Sequence, residues 1–519
     1  MMKSQATLHG PTRRTHASRI TASNTASNTG TATESARSLY FALSQRQVKQ
    51  ADDDAACRFL AACLGTAAAL PSDLPACAHD LENWIVGNTE AVGECYRNYL
   101  AARKAGGARR YFGSKSHALY FLKSVAPTKL VDGAWLYGLL SHWDDGRFAH
   151  LIRIYLEELG CGVPDKNHVV LYKKLLSAHG NPKWDRLPDA CFVQGAIQLA
   201  LARHADRFLP ELIGFNLGYE QLPLHLLITA HELNELGIDP YYFTLHVTVD
   251  NADTGHAQTA LDGLRHAWPA IGDGAQFYQR VVNGYKLNLL GAGTNDIIDG
   301  FDLQQELITI LAEKSVVGKQ VHSDTCRIGG RSVNQWLADP AQIPAFLDAM
   351  QQAGWIQRNQ APANSRFWKL IEGERADMFG VFNAYEQQVL FDWIAGDGSA
   401  DHATTNPSPV IPMQRQSTFK AQQKLREARA GTDRDHHTVQ ALQGDAEAMI
   451  CGASWRADRL CEQGACNDFD QELRDLTQSL NRTASRDEAM QLLAGLMSPA
   501  LHHTPAGLKA TRLFVRMLG

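Results

Sequence analysis

No two of the ten cysteines form a Cys-x2-Cys pair, the spacing that zinc ribbons and many redox motifs require. Their scattered positions also disfavour a disulfide framework. No apolar run approaches the about 20 residues that span a bilayer, and the N-terminus contains no hydrophobic signal core. We therefore expect a cytoplasmic protein with reduced thiols and no membrane partner.

An excess of basic charge is also lacking. The sequence has 50 basic and 55 acidic side chains, a formal net charge of −5, and it contains no basic helix or aromatic–basic stripe, which excludes an obvious nucleic-acid partner. The His231-Glu232-x2-Glu235 run lacks the second histidine of a zinc protease and predicts a surface helix. The ferritin-type Glu-x2-His pair is absent from the whole sequence.

What the sequence does contain is helical periodicity. From about residue 40 to residue 315, apolar side chains recur at spacings of three and four, and Gly-, Pro- and Asp-bearing breaks separate the runs. This pattern favours an all-α bundle. We predict a disordered Ser/Thr/Asn-rich tail (1–38), the bundle (39–318), a mixed, Trp-rich extension (319–398), a linker (399–413) and a helical C-terminal region (414–519).

The strongest chemical pattern lies in a helix predicted over residues 241–268. On an ideal helix, His246, Asp250 and Asp253 fall within about 60° of one another. His256 follows one turn later and joins the same face if the helix is distorted there. A metal ion satisfies several buried carboxylates and imidazoles at once, although a hydrogen-bonded stripe facing solvent is an open alternative.

Two earlier segments strengthen the metal hypothesis. In RFAHLIRIYLEELG, Glu158 shares a helical face with apolar residues, and His168 opens a second helix ten residues later. In PELIGFNLGYE, Glu220 likewise lies on an apolar stripe of the predicted helix. Carboxylates from two helices, with a third helix rich in His and Asp, are ligands that a pair of iron ions uses.

These runs resemble the haem-oxygenase-like di-iron oxidases, also called iron-containing redox enzymes, over about residues 110–270. Members usually show Glu-x9-His, then a lone Glu, then His-x3-Asp-x2-His. The resemblance implies the metal ligands Glu158, His168, Glu220, His246 and Asp250. The last family histidine falls at Asp253, and the nearest imidazole is His256, so either residue, or both, completes the predicted set.

The resemblance also implies a function. It predicts a haem-oxygenase-like bundle that holds two iron ions and uses O2 to oxidise a small organic molecule. Relatives N-oxygenate amines, desaturate or cleave amino acids, or decarboxylate fatty acids, commonly in natural-product pathways. We favour an amine- or amino-acid-derived substrate. An external electron donor and a homodimer are also compatible with this prediction.

Two other hypotheses about the function of this architecture remain open. The first is a non-catalytic helical protein that binds a ligand or partner and retains a degenerate metal site. The second is a cofactorless or single-metal enzyme similar to the thiaminase-like proteins or quinone-cofactor synthases. Metal analysis separates the first of these from the di-iron hypothesis.

Overall fold

The computed structural model describes residues 35–180, 182–249, 255–396 and 471–518. Within these ranges nearly all regular structure is helical, and the β structure is a small antiparallel hairpin of β1 (Arg327–Ile328) and β2 (Arg331–Ser332). The predicted all-α class is confirmed. None of the described helices is long and apolar enough to cross a membrane.

The chain up to residue 318 is built from short and medium helices. In chain order they are α1 (Ala36–Leu43), α2 (Gln50–Ala68), α3 (Leu81–Lys104), α4 (Lys115–Ser124), α5 (Ala126–Lys129), α6 (Ala149–Glu158), α7 (His168–Ala178), α8 (Val193–Arg203), α9 (Leu209–Tyr219), α10 (Leu224–Glu235), α11 (Tyr241–Val249), α12 (His256–Ala267), α13 (Gly274–Lys286), α14 (Thr294–Asp299) and α15 (Leu303–Gly318). Polar caps set several of their starts, as the side chains of Ser114 and Asn167 do for α4 and α7.

The first helix begins earlier than the predicted end of the tail. α1 starts at Ala36, inside the range 1–38 assigned to the tail. Ser35 caps this helix by accepting a hydrogen bond from the backbone N–H of Ser38, and its hydroxyl donates to Asp189 at 2.6 Å. Residues 1–34 and the predicted linker 399–413 lie outside the described residues.

The Trp-rich extension and the C-terminal residues add further helices. They are α16 (Val333–Leu337), α17 (Ile343–Gln352), α18 (Arg366–Lys369), α19 (Ala384–Ala395), α20 (Gln471–Leu480), α21 (Arg486–Leu496) and α22 (Pro505–Leu518). α19 packs on the bundle, because Asp392 accepts a hydrogen bond from the backbone N–H of Ser116 at 2.7 Å and Tyr385 donates to Glu306 at 2.7 Å.

The buried apolar side chains form two clusters. The first joins α1, α2, α6, α8, α9, α12 and α13 with the C-terminal helices α20–α22. The second joins α4, α7, α10, α11 and α15 with the extension α16–α19. Five of the predicted ligands lie where the clusters meet. Glu158, Glu220 and His256 belong to or adjoin helices of the first cluster, whereas His168 and His246 belong to helices of the second.

The His231-Glu232 run is not a simple surface helix. Glu232 on α10 is fully buried, and its carboxylate accepts hydrogen bonds from the Tyr99 hydroxyl at 2.7 Å and from the backbone N–H of Phe112 at 2.9 Å. The backbone N–H groups of Arg110 and Tyr111 donate to the same carboxylate. The surface prediction is therefore wrong for Glu232, which ties the 110–112 loop to α10 because each buried N–H needs an acceptor.

Candidate metal centre

Two overlapping groups of buried carboxylates and imidazoles lie in the bundle. In each group, the potential ligand atoms are within 4.8 Å of one another. The first group contains Asp132, Glu158, His168 and His246, and the second contains Glu158, Glu220 and His256. Glu158 is common to both, so its carboxylate lies between two sets of donors.

Asp132 reaches the first group because the chain turns sharply beside it. Gly133 has φ +78°, a left-handed conformation that glycine adopts without steric cost. A Cβ atom at this position would lie 2.8 Å from Cβ of Glu158. The glycine therefore allows the backbone next to Asp132 to approach the end of α6 closely.

Glu158 and His168 meet across a short connection between two helices. Glu158 is the last residue of α6, and His168 is the first residue of α7, as the sequence predicts for the start of this helix. Glu158 Oε2 lies 2.5 Å from His168 Nδ1 in a buried ion pair, but neither atom makes a hydrogen bond of ordinary geometry among the described residues. Buried polar atoms without a well-formed hydrogen bond are costly, and a bound metal ion would satisfy both. These donors therefore fit a metal ion.

The mutual attraction of these groups changes their pKa values. Burial favours the neutral forms, raising the pKa of Glu158 and lowering that of His168. The charge of His168, its close contact with the carboxylate and the charge of His256 together outweigh burial and hold the pKa of Glu158 below its ordinary value. The charges of Glu158 and Asp132 likewise raise the pKa of His168 to about 10. The site is thus strongly attractive to positive charge.

Asp132 is held by two tyrosines. The Tyr219 hydroxyl donates to its Oδ1 at 2.7 Å, and the Tyr242 hydroxyl donates to its Oδ2 at 2.5 Å. His246 Nδ1 is 2.8 Å from the Tyr242 carbonyl, which requires Nδ1 to donate and leaves Nε2, 3.1 Å from Asp132 Oδ2, as the atom that faces the site. Although burial raises the pKa of Asp132, Lys129 and the imidazole contacts hold it well below its usual value.

His256 faces carboxylates on both sides of its ring. Its Nδ1 lies 3.0 Å from Glu220 Oε2 and 3.4 Å from Glu158 Oε1. On the other side, Nε2 lies 2.9 Å from Glu157 Oε2. Burial raises the pKa of Glu157, but His256 and then Arg153 lower it below its ordinary value. Nδ1 is therefore the ring atom that a metal in the second group would contact.

The predicted single helix over residues 241–268 is wrong. α11 is described as far as Val249, and α12 begins at His256 after Gly255, whose backbone is extended at φ −88° and ψ −171° and so interrupts the helix. His256 consequently enters the site from the start of a separate helix. Asp250 and Asp253, the other predicted ligands of this segment, lie outside the described residues.

Two residues of the site were not predicted from the sequence. Asp132 is a lone acid within the apolar run LVDGAWL, and this isolation is the signal that could have revealed it. Glu157 precedes Glu158 on α6, and the sequence contains no sign that it faces His256. The structure adds both to the five predicted residues that it brings together: Glu158, His168, Glu220, His246 and His256.

Residues 119–287 match the family model of iron-containing redox enzymes. This match confirms the resemblance to the haem-oxygenase-like family and fits the helical fold. The matched region includes every residue of the two groups that could hold a metal ion. Comparison with curated proteins and with solved structures gives no match. The family match and the buried carboxylate–histidine groups together support an iron-dependent oxidoreductase.

Proposed function

We propose that this protein is a non-haem di-iron, O2-dependent oxidoreductase that acts on a small organic molecule in specialised metabolism. The observation that carries the proposal is the position of Glu158 between two buried carboxylate–imidazole groups. One carboxylate with donors on both sides is suited to bridge two metal ions. The amine- or amino-acid-derived substrate, and N-oxygenation, desaturation or C–C cleavage as the reaction, follow from the family resemblance.

Each group has the donors that one iron ion needs. Asp132, Glu158, His168 and His246 would hold the first ion, and Glu158, Glu220 and His256 would hold the second. When bound, an iron pair would supply the activation of O2, and the electrons that reduce O2 would come from the substrate or from an external donor. Imidazole and carboxylate ligands are suited to iron because they combine borderline and hard donor atoms.

The protein supplies charge balance and orientation. Asp132, Glu158 and Glu220 provide three carboxylates, which offset most of the charge of two ferrous ions, and all three are almost completely buried. The hydroxyls of Tyr219 and Tyr242 hold both oxygens of Asp132 in place. Fixed, buried ligands exclude bulk water from the reacting centre and keep the ligand geometry constant.

Anaerobic titration of the purified full-length chain with Fe(II), followed by exposure to O2, tests the proposal. We expect about two irons per chain, as in other di-iron bundles, and a transient visible absorption band after mixing with O2. The matched control is Glu158→Ala, which removes the shared carboxylate and should show neither result. A wild-type protein that binds no iron would refute the proposal and favour the non-catalytic binding protein.

A further inference from the structure

The C-terminal helices contact the connection between the first two predicted ligands. Arg512 on α22 donates from Nε to the carbonyl oxygen of Gly162 at 2.9 Å. Gly162 has φ +81°, and a Cβ atom there would collide with the carbonyl oxygen of Leu508 on the same helix. The Tyr155 hydroxyl on α6 donates to the carbonyl oxygen of Met497 at 2.5 Å. The segment 471–518 therefore packs directly on the chain that joins Glu158 to His168.

Asn167 is the point where these elements are tied together. It is fully buried and immediately precedes His168. Its Oδ1 accepts the backbone N–H of Val170 at 3.0 Å and so caps α7. Its Nδ2 lies 3.2 Å from the carbonyl oxygen of Leu159, next to Glu158, and 3.1 Å from Nδ1 of His502 in the C-terminal segment.

The cap fixes which way each of these hydrogen bonds runs. Because the Val170 N–H must donate, the atom that it contacts on Asn167 is the amide oxygen, and the other atom is the NH2 group. That group donates one hydrogen to Leu159 and one to His502, so Nδ1 of His502 must be unprotonated. His502 is itself buried, and burial lowers its pKa well below the ordinary value, in keeping with a neutral ring.

We infer that His502 is a positioning residue of the metal centre, which acts through Asn167 on the adjoining ends of the two helices that present Glu158 and His168. The inference rests on the proposed function, because it assigns the C-terminal segment a role in holding metal ligands. Partners that orient ligands in this way commonly change metal affinity about 10–100-fold when they are lost.

The loss of His502 has a specific consequence for Asn167. Without the imidazole, one hydrogen of its buried amide has no acceptor among the described residues that contact it. If the amide rotates toward another partner, the cap of α7 or the bond to Leu159 breaks. Either change loosens the end of one ligand helix at Glu158 or His168.

Three variants of the full-length chain test the inference: His502→Ala, His502→Asn and His503→Ala. His502→Ala should weaken Fe(II) binding about 10–100-fold and change the Mössbauer spectrum of the bound iron. His502→Asn should restore both, because an amide oxygen can accept the hydrogen of Asn167. His503→Ala changes an adjacent histidine that lacks the contact with Asn167, and this variant should match the wild type.

The outcomes separate the inference from the proposed function. Wild-type iron affinity and spectrum in His502→Ala would overturn the inference, and so would equal losses in His502→Ala and His503→Ala. If His502→Ala fails to fold, His502→Phe fills the space without an acceptor and is held to the same expectation. A wild-type chain that binds no iron would instead refute the proposed function.

Discussion

The carboxylate of Glu157 lies 2.9 Å from Nε2 of His256, on the side of the imidazole opposite Glu158 and Glu220. A proton on Nε2 would donate to Glu157 and leave Nδ1 as a base toward the site. Histidines that bind metals are usually oriented in this way by a carboxylate on the far ring nitrogen. The neighbouring acids Glu157 and Glu158 thus occupy different positions around the same imidazole.

Glu157→Ala should weaken iron binding at the second group. The loss of the orienting carboxylate is expected to reduce affinity for one of the two ions about 10–100-fold, measured by anaerobic Fe(II) titration. Arg153→Ala is the control, because Arg153 is an exposed partner of Glu157 at 3.0 Å and does not contact His256. Equal titration curves for Glu157→Ala and the wild type would exclude this orienting role.

Removal of single proposed ligands should give different iron contents. Glu158→Ala removes the carboxylate common to both groups and should abolish the binding of both ions, whereas His246→Ala and His256→Ala each remove a ligand from one group. We expect about one iron per chain in each histidine variant and almost none in Glu158→Ala, measured by elemental analysis of purified protein. Retention of about one iron by Glu158→Ala would show that the groups do not share this ligand.

Gly133→Ala should destabilise the protein more than Gly237→Ala does. Both glycines have a left-handed backbone, at φ +78° and +67°, so each substitution carries a strain of about 1–2 kcal/mol. A Cβ atom at Gly133 would also press on Glu158, whereas none of the described atoms lies within 4 Å of one at Gly237. Crowding should add about 1–3 kcal/mol for Gly133→Ala, measured by urea denaturation of metal-free protein.

The iron content of the Gly133→Ala and Gly237→Ala variants gives a second, functional measurement. Gly133→Ala should lower iron content because it displaces Glu158, whereas Gly237→Ala should bind iron as the wild type does. Equal stability and equal iron content in the two variants would contradict the close approach of Gly133 to Glu158.

Tyr242→Phe should destabilise the metal-free protein, whereas the same change at Tyr241 should have little effect. The Tyr242 hydroxyl donates to the buried carboxylate of Asp132, and a hydrogen bond to a charged group contributes about 1.5–3 kcal/mol. The Tyr241 hydroxyl makes a longer, exposed bond of 3.2 Å to the carbonyl oxygen of Asp165. Urea denaturation of both variants measures the difference, and losses of the same size would show that Asp132 does not depend on Tyr242.

Local sequence patterns determined the all-α class and many of the helices. Apolar residues at spacings of three and four are a property of a single helix, so the helix can be predicted without knowledge of its neighbours. The sequence also indicated that His168 begins a helix beyond the GCGVP break, and the structure shows Asn167 as the residue that caps it. The helix break at Gly255 was harder to predict from the sequence, because glycine permits an extended backbone without requiring it.

Only the tertiary structure decided which polar residues meet. Asp132 and His246 are 114 residues apart in sequence, and Asn167 and His502 are 335 residues apart. No local periodicity specifies such pairs, because their proximity results from how helices pack and from turns such as that at Gly133. The sequence alone therefore indicated a helical protein with acids and histidines suited to iron. The packing decided that Glu158 lies between two groups of donors and that the C-terminal helices contact the connection between Glu158 and His168.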